Sequence, residues 1–323
     1  MNTQEFLTEM QDVLQTEDEL SMDTVLEDLD EWDSLSIMAT MAFLERNFGI
    51  RTSIKDYREL KTIGDIARKA GLWLMISFNS EQRFIVTGAS SGLGEATALL
   101  LNELGATVVA VARNIERLTK MKVKCKYPEN MFLETKDLIE DIESLPKYIK
   151  ELKEKYGKFS GMAYCAGVTD ITPLKALNLN VIQNILDIDY LAPIFMSKGV
   201  CDKRNNIGTG TSIVIVSSFA GVFPSKGMVS YCGAKAAIIN SAKVIAKEYA
   251  SLGIRVNSVS PSDINTPMTQ TEDIKTFIDN RISNYPFGIG EPNDVANMIV
   301  YLLSDKAKFI SGQNYIIDSG GVL

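Results

Sequence analysis

With 323 residues, 46% of them hydrophobic, and no apolar run near the roughly 18 residues of a membrane span, the chain reads as one or two globular domains without membrane contact. A net charge of −8 argues against a nucleic-acid partner, and the absence of histidine excludes Ser-His-Asp and Cys-His catalysis and every histidine metal site. Proton transfer must then fall to tyrosine, lysine or carboxylates.

The opening Met1-Asn2-Thr3-Gln4-Glu5 lacks the basic and apolar segments of a secretory signal, and Cys125, Cys165, Cys201 and Cys232 form no C-x-x-C pair. A cytoplasmic chain with free thiols and no metal is the expectation. Charge is divided unevenly: residues 1–74 hold 16 acidic and 7 basic side chains, a net of −9, which leaves 25 acidic and 26 basic elsewhere. Positions 12–33 contain no Lys or Arg, yet Val13, Leu14, Leu20, Val25, Leu26 and Leu29 interleave the acids. That pattern predicts a folded acidic module rather than a solvated tail.

In chain order, Phe6, Leu7, Met10, Val13 and Leu14 predict a helix near Thr3–Leu14. After a polar loop, Asp33-Ser34 opens a second helix whose apolar stripe is Ile37, Met41, Leu44 and Phe48, with Gly49 as its C-terminal cap. A short turn near Asp56–Leu60 precedes a last helix from Thr62-Ile63-Gly64-Asp65 to about Ala70. Ser34 suits two roles. It is a good N-cap, and its hydroxyl at a helix N-terminus also suits a phosphate, which the dipole and free N–H groups tolerate.

The run Trp32-Asp33-Ser34-Leu35, the ending Phe48-Gly49-Ile50 and the segment Thr62-Ile63-Gly64-Asp65-Ile66 resemble the acyl carrier proteins over nearly all of residues 1–74. The acidic face, helix order and module length agree with that resemblance. It implies 4′-phosphopantetheine on Ser34, placed there by a phosphopantetheinyl transferase, and basic partner enzymes steered by the acidic face. Residues 75–82 form a join containing the apolar Met75, Ile76 and Phe78, open to either docking or flexibility.

From residue 83 the pattern changes. Arg83–Thr87 reads as a buried strand, Gly88-Ala89-Ser90-Ser91-Gly92-Leu93-Gly94 as a glycine turn, and a helix follows from about Glu95 to Leu104. Strand, glycine turn and helix together mark a dinucleotide site. Thr107–Ala112, Ser160–Cys165, Ser212–Ser217 and Ile254–Ser260 read as further strands between helical segments, which predicts a doubly wound parallel sheet of Rossmann type over 83–323. The second strand ends in Ala112-Arg113-Asn114 with no ribose-binding acid, so Arg113, if not simply a surface residue, favours the 2′-phosphate of NADP(H) over NAD(H).

Tyr231-Cys232-Gly233-Ala234-Lys235 places a phenol and an ammonium at i and i+4 on one helix face. A neighbouring cation lowers the phenol's pKa from about 10, and Ser218 upstream is able to share the same substrate oxygen. These residues, with the glycine turn, resemble the short-chain dehydrogenase/reductase family over essentially all of 83–323. Among its members the resemblance is to 3-oxoacyl-carrier-protein reductases. It implies a catalytic Ser218, Tyr231 and Lys235, and a homotetramer or dimer. It also implies cofactor contacts from Gly88, Ser90, Ser91, Gly92, Leu93, Gly94, Asp137, Ala166, Gly167, Tyr231, Lys235, Pro261 and Thr266; the ending Asp318-Ser319-Gly320-Gly321 fits as well.

Three positions depart from the family pattern: Cys165 and Ser262 where Asn and Gly are usual, and Asp189 where a proton-relay asparagine is usual. By that position Asp189 counts with the catalytic residues: a carboxylate near Lys235 is still expected to hold a water, while its charge offsets part of the lysine's effect on Tyr231 and alters the pH profile. Met268–Pro286 is either a lid or an ordinary surface segment. The leading expectation is NADPH-dependent reduction of a carbonyl held as a thioester on the Ser34 arm. A different substrate, such as a sugar or amino-acid derivative, and an impaired scaffold presenting the carrier to other enzymes are the alternatives.

Overall fold

A computed structural model describes residues 3–57, 59–72, 76–270, 283 and 285–321. The chain divides into two compact units, Met1–Ser77 and Phe78–Leu323. Among the described residues no helix is long and apolar enough to cross a membrane.

The first unit is helical: α1 (Thr3–Leu14), α2 (Ser34–Phe48) and α3 (Ile63–Lys69), with single 3-10 turns at Leu26–Asp28 and Ile54–Tyr57. Phe6, Met10, Leu26, Leu44, Ile63 and Ile66 are its fully buried centre. Phe6, Phe43 and Phe48 meet at ring separations of 5.9–6.4 Å, within the range of favourable aromatic pairs. The deepest face of α2 is Ser36, Thr40, Phe43 and Leu44, rotated from the expected stripe; Ile37, Met41 and Phe48 pack only at its margin. The polar Ser36 and Thr40 hid that face, because each is satisfied locally: the Thr40 hydroxyl donates to the Ser36 carbonyl at 2.8 Å.

The second unit is a seven-stranded, wholly parallel sheet in the order β3-β2-β1-β4-β5-β6-β7. Its elements are β1 (Arg83–Thr87), α4 (Gly92–Glu103), β2 (Thr107–Ala112), α5 (Ile115–Lys122), β3 (Met131–Thr135), α6 (Leu145–Tyr156), β4 (Gly161–Tyr164), α7 (Leu179–Leu186), α8 (Ala192–Cys201), β5 (Ser212–Val216), α9 (Val229–Tyr249), β6 (Arg255–Pro261), α10 (Pro292–Leu303) and β7 (Asn314–Ile317). Helices cover both faces, so β2, β4, β5 and β6 are buried along their whole length. The two strands absent from the sequence reading, β3 and β7, are the sheet's edges, where burial is partial and the apolar run correspondingly weak. Phe78 begins this unit: its N–H donates to the Leu104 carbonyl at 2.8 Å and its ring lies 5.1 Å from Phe84.

One π-helical turn, Asp187–Leu191, joins α7 to α8, with the Ala192 N–H reaching back to the Asp187 carbonyl. Pro193 explains it. Proline has no N–H for the Asp189 carbonyl, and its ring would strike that oxygen in a regular helix.

Strand order reverses between β1 and β4, and the crevice at their C-terminal ends is where such sheets bind ligands.

Candidate active site

In the first unit, Asp33 rather than Ser34 caps α2. Asp33 Oδ1 accepts from the Leu35 and Ser36 N–H groups at 2.8 and 2.9 Å, and the Asp33 N–H donates to Ser36 Oγ at 2.9 Å. These bonds, Ser36 foremost and then Leu35, hold the Asp33 carboxyl below its ordinary pKa. Ser34 is thereby released from capping. It is the first residue of α2 and exposed, with a helix N-terminus beside its hydroxyl.

In the second unit, a cavity of about 690 Å³ runs along the crevice. One wall is the turn after β1. Gly88 has φ +66°, and a Cβ there would lie 2.9 Å from Ala166 Cα. Gly92 has φ +55°, and a Cβ would meet Thr266 at 3.3 Å. Thr87 Oγ1 ties this turn to the next strand, accepting from the Cys165 and Ala166 N–H groups at 3.0 and 3.1 Å. Gly88, Ser90, Ser91, Gly92 and Leu93 line the cavity, whereas Gly94 lies beneath, where a Cβ would be 2.3 Å from the Gly88 carbonyl oxygen. The result is a cradle of backbone at the start of α4, whose N–H groups and dipole suit a pyrophosphate.

Arg113 and Asp137 line the far end, joined by Asn114, Arg117 and Lys136, which the sequence reading missed. Arg113 lies between the end of β2 and the Asn114 cap, and Arg117 stands in the first turn of α5. Ala166, Gly167, Pro261 and Thr266 complete the middle of the cavity. Bare backbone near β1 and two arginines beyond β2 fit the diphosphate and 2′-phosphate of a dinucleotide.

Ser218, Tyr231 and Lys235 converge on the same cavity. Ser218 follows β5 and accepts from the Ala220 N–H at 3.1 Å; Tyr231 and Lys235 come from α9, with Lys235 Nζ 5.8 Å from the Tyr231 ring centroid. Lys235 is buried, and its Nζ donates to the Val216 carbonyl at 3.0 Å. Ser217 Oγ donates to the Lys235 carbonyl at 2.8 Å, fixing α9 against β5.

Asp189 does not line the cavity. It lies behind it, 1% exposed, with Oδ1 3.0 Å from Lys235 Nζ. The Lys235 ammonium and the Val168 N–H are the groups that draw on the carboxylate, the ammonium by charge foremost. Burial raises the Asp189 carboxyl above its ordinary pKa, against the pull of the Lys235 ammonium. Burial alone would lower the Lys235 ammonium, but Asp189 and then Tyr231 carry it above its ordinary value. The expected lowering of Tyr231 is reversed: burial raises the phenol, and Lys235 and Ser218 only partly offset burial and Asp189. Burial also pushes the Cys165 thiol up to about 12, which leaves it neutral. Of the segment from Met268 to Pro286, residues 271–282 and 284 lie outside the described residues.

Comparison with known proteins agrees with this geometry. Residues 88–321 match the family model described as enoyl-(acyl carrier protein) reductase, and residues 4–69 match that of a phosphopantetheine attachment site. A 3-oxoacyl-[acyl-carrier-protein] reductase of Thermotoga maritima is 31% identical over 252 residues, covering 74% of this chain and 97% of that protein. An NAD-dependent glycerol dehydrogenase of Listeria innocua is 32% identical over 245 residues, covering 73% of this chain and 92% of that protein. A short-chain dehydrogenase of Burkholderia cenocepacia, solved with NADP, superposes with a TM-score of 0.68 at 25% identity, covering 76% of this chain and 99% of that one. A seven-stranded parallel sheet and these matches together make the chain an oxidoreductase of the short-chain dehydrogenase/reductase family, with a phosphopantetheine-attachment domain fused ahead of it.

Proposed function

We propose that this protein uses NADPH to reduce a carbonyl, foremost a 3-oxoacyl group, presented as a thioester on a phosphopantetheine arm at Ser34. The observation that carries this reading is one cavity with Ser218, Tyr231 and Lys235 at one part and the glycine turn, Arg113 and Arg117 at another, in a chain with its own carrier domain. Gly88, Ser90, Ser91, Gly92 and Leu93 would hold the pyrophosphate, Arg113 with Arg117 the 2′-phosphate, and Asp137 the adenine end. A nicotinamide bound there supplies the hydride. Tyr231 gives its phenolic proton to the carbonyl oxygen, Ser218 donates a hydrogen bond to that oxygen, and Lys235 balances charge as the proton leaves.

Apolar Ile171, Ala220, Met228 and Cys232 cluster with Tyr231, which supports an acyl group over a sugar. The similarity to a glycerol dehydrogenase keeps a small polyol as the second reading. A homo-oligomer, a phosphopantetheinyl transferase and other carrier-dependent enzymes are the partners proposed, and the four free cysteines support a reducing cytoplasm.

The test is turnover by purified protein of a short 3-oxoacyl thioester, glycerol and a sugar lactol, each with NADPH or NADH and their oxidised forms. Preference for the thioester with NADPH supports the proposal. Preference for glycerol with NAD defeats it, and normal NADPH binding without turnover points to a scaffold.

A further inference from the structure

Among the described residues Asp189 is the only buried carboxylate, and the reaction proposed above gives it no task. Three elements bring it to Lys235. The π turn between α7 and α8 carries Asp189 at its centre, α9 carries Lys235, and Gly167 lets the two meet. A Cβ on Gly167 would stand 2.7 Å from Asp189 Oδ1 and 3.5 Å from Lys235 Nζ, so a side chain there would part the pair or force it to move.

The surroundings hold few other charges. From β4, Tyr164 faces Asp189, but its hydroxyl donates to the Ile188 carbonyl at 2.8 Å and burial raises its pKa well above the ordinary value. Cys165 is a neutral thiol. From α9 come Tyr231, Cys232 and Lys235, and from the loop after β5 the uncharged Ser218. On the π turn itself, Asp187 accepts from Gln183 Nε2 at 2.6 Å and is not among the groups acting on Tyr231. Lys235 and Asp189 are thus the foremost charges that act on the Tyr231 phenol, ahead of a smaller contribution from Cys232.

We infer that Asp189 tunes the proton donor of this site: paired with Lys235, it cancels much of the positive charge that would favour a phenolate at Tyr231, and so works with burial to hold the phenol protonated, the form from which reduction begins. Alcohol oxidation needs the opposite state, a phenolate ready to accept the alcohol proton. With the ammonium paired 3.0 Å away, that state is disfavoured. Asp189 touches no reacting atom in this scheme; it is a positioning residue acting through Lys235. The inference rests on Tyr231 as the proton donor, but not on the identity of the substrate.

Asp189→Asn keeps the shape and removes the charge, and Asp189→Ser provides a second charge-free variant should the carboxamide disturb folding. Tyrosinate absorbance, taken as the difference between each protein and its Tyr231→Phe counterpart, isolates Tyr231 in the full chain without any substrate. The midpoint in Asp189→Asn is expected about one pH unit below that of the parent. In turnover, the alkaline limb of the pH-rate profile for ketone reduction is expected to move down by about one pH unit as well. An unmoved or higher midpoint overturns the inference, as does a variant that merely loses heat stability and rate equally at every pH. A lowered midpoint with no turnover of any thioester supports the inference on Asp189 and defeats the substrate reading instead.

Discussion

Tyr231 and Lys235 stand one helical turn apart on α9, and their surroundings divide the work between them. Tyr231→Phe removes one oxygen from a packed site and should leave Tm nearly unchanged while lowering turnover by about 10²-fold or more, as loss of a proton donor does; paired melting and initial-rate measurements check both halves. Lys235→Met tests the opposite balance. It leaves Asp189 buried without its countercharge, and breaking one side of a buried pair costs about 3–5 kcal/mol at neutral pH. Denaturant unfolding should register that loss, and adding Asp189→Asn to Lys235→Met should recover part of it. A recovery of nothing would mean that the pair contributes through packing alone.

At the scale of elements, helix N-termini in the two units are built for opposite purposes. The start of α4 is kept bare. Gly94→Ala puts a methyl carbon 2.3 Å from the Gly88 carbonyl oxygen, where backbone must move, so NADPH affinity should fall about tenfold or more and Tm by several degrees. Gly233→Ala is the contrast: it lies exposed inside α9 with nothing within 4 Å of the added carbon, and should stabilise by about 0.5–1 kcal/mol. Fluorescence titration with NADPH and thermal melting separate the two. The starts of α2 and α3 are instead filled by carboxylates. Asp33 is held below its ordinary pKa by the Ser36 and Leu35 N–H groups, and Asp65 by those of Lys61 and Thr62, against a smaller opposing effect of burial. A carboxyl depressed in the folded state adds stability that is complete above its unfolded pKa and lost as pH falls through the folded value. Melting of the first unit should therefore hold steady from pH 7 to about pH 5 and decline below about pH 4. Trp32 packs against the first unit's core, so its fluorescence in a Trp73→Phe variant follows this unit.

Taken whole, the molecule joins an acidic helical carrier to a nearly neutral oxidoreductase, each with its own buried core. Calorimetry of the intact chain should resolve two transitions, with Trp32 fluorescence marking the first unit's. Co-expression with a phosphopantetheinyl transferase should add the mass of one arm to the parent and none to Ser34→Ala, while that variant reduces a free thioester at the parental rate. Much of this was legible in the residues. The glycine turn, the Tyr231–Lys235 spacing, the capped helix at Ser34 and the five inner strands are encoded over a few neighbouring positions, and local sterics or periodicity suffice to reveal them. The edge strands β3 and β7 escaped because partial burial blurs their pattern, and the buried face of α2 escaped because it includes Ser36 and Thr40. The choice of Asp33 over Ser34 as the cap is a contact between near neighbours that the residues left open; tertiary structure alone decided that Lys136 joins Arg113 and that Asp189 meets Lys235. Those meetings depend on how distant segments pack, and a one-dimensional pattern records neighbours along the chain, not across it.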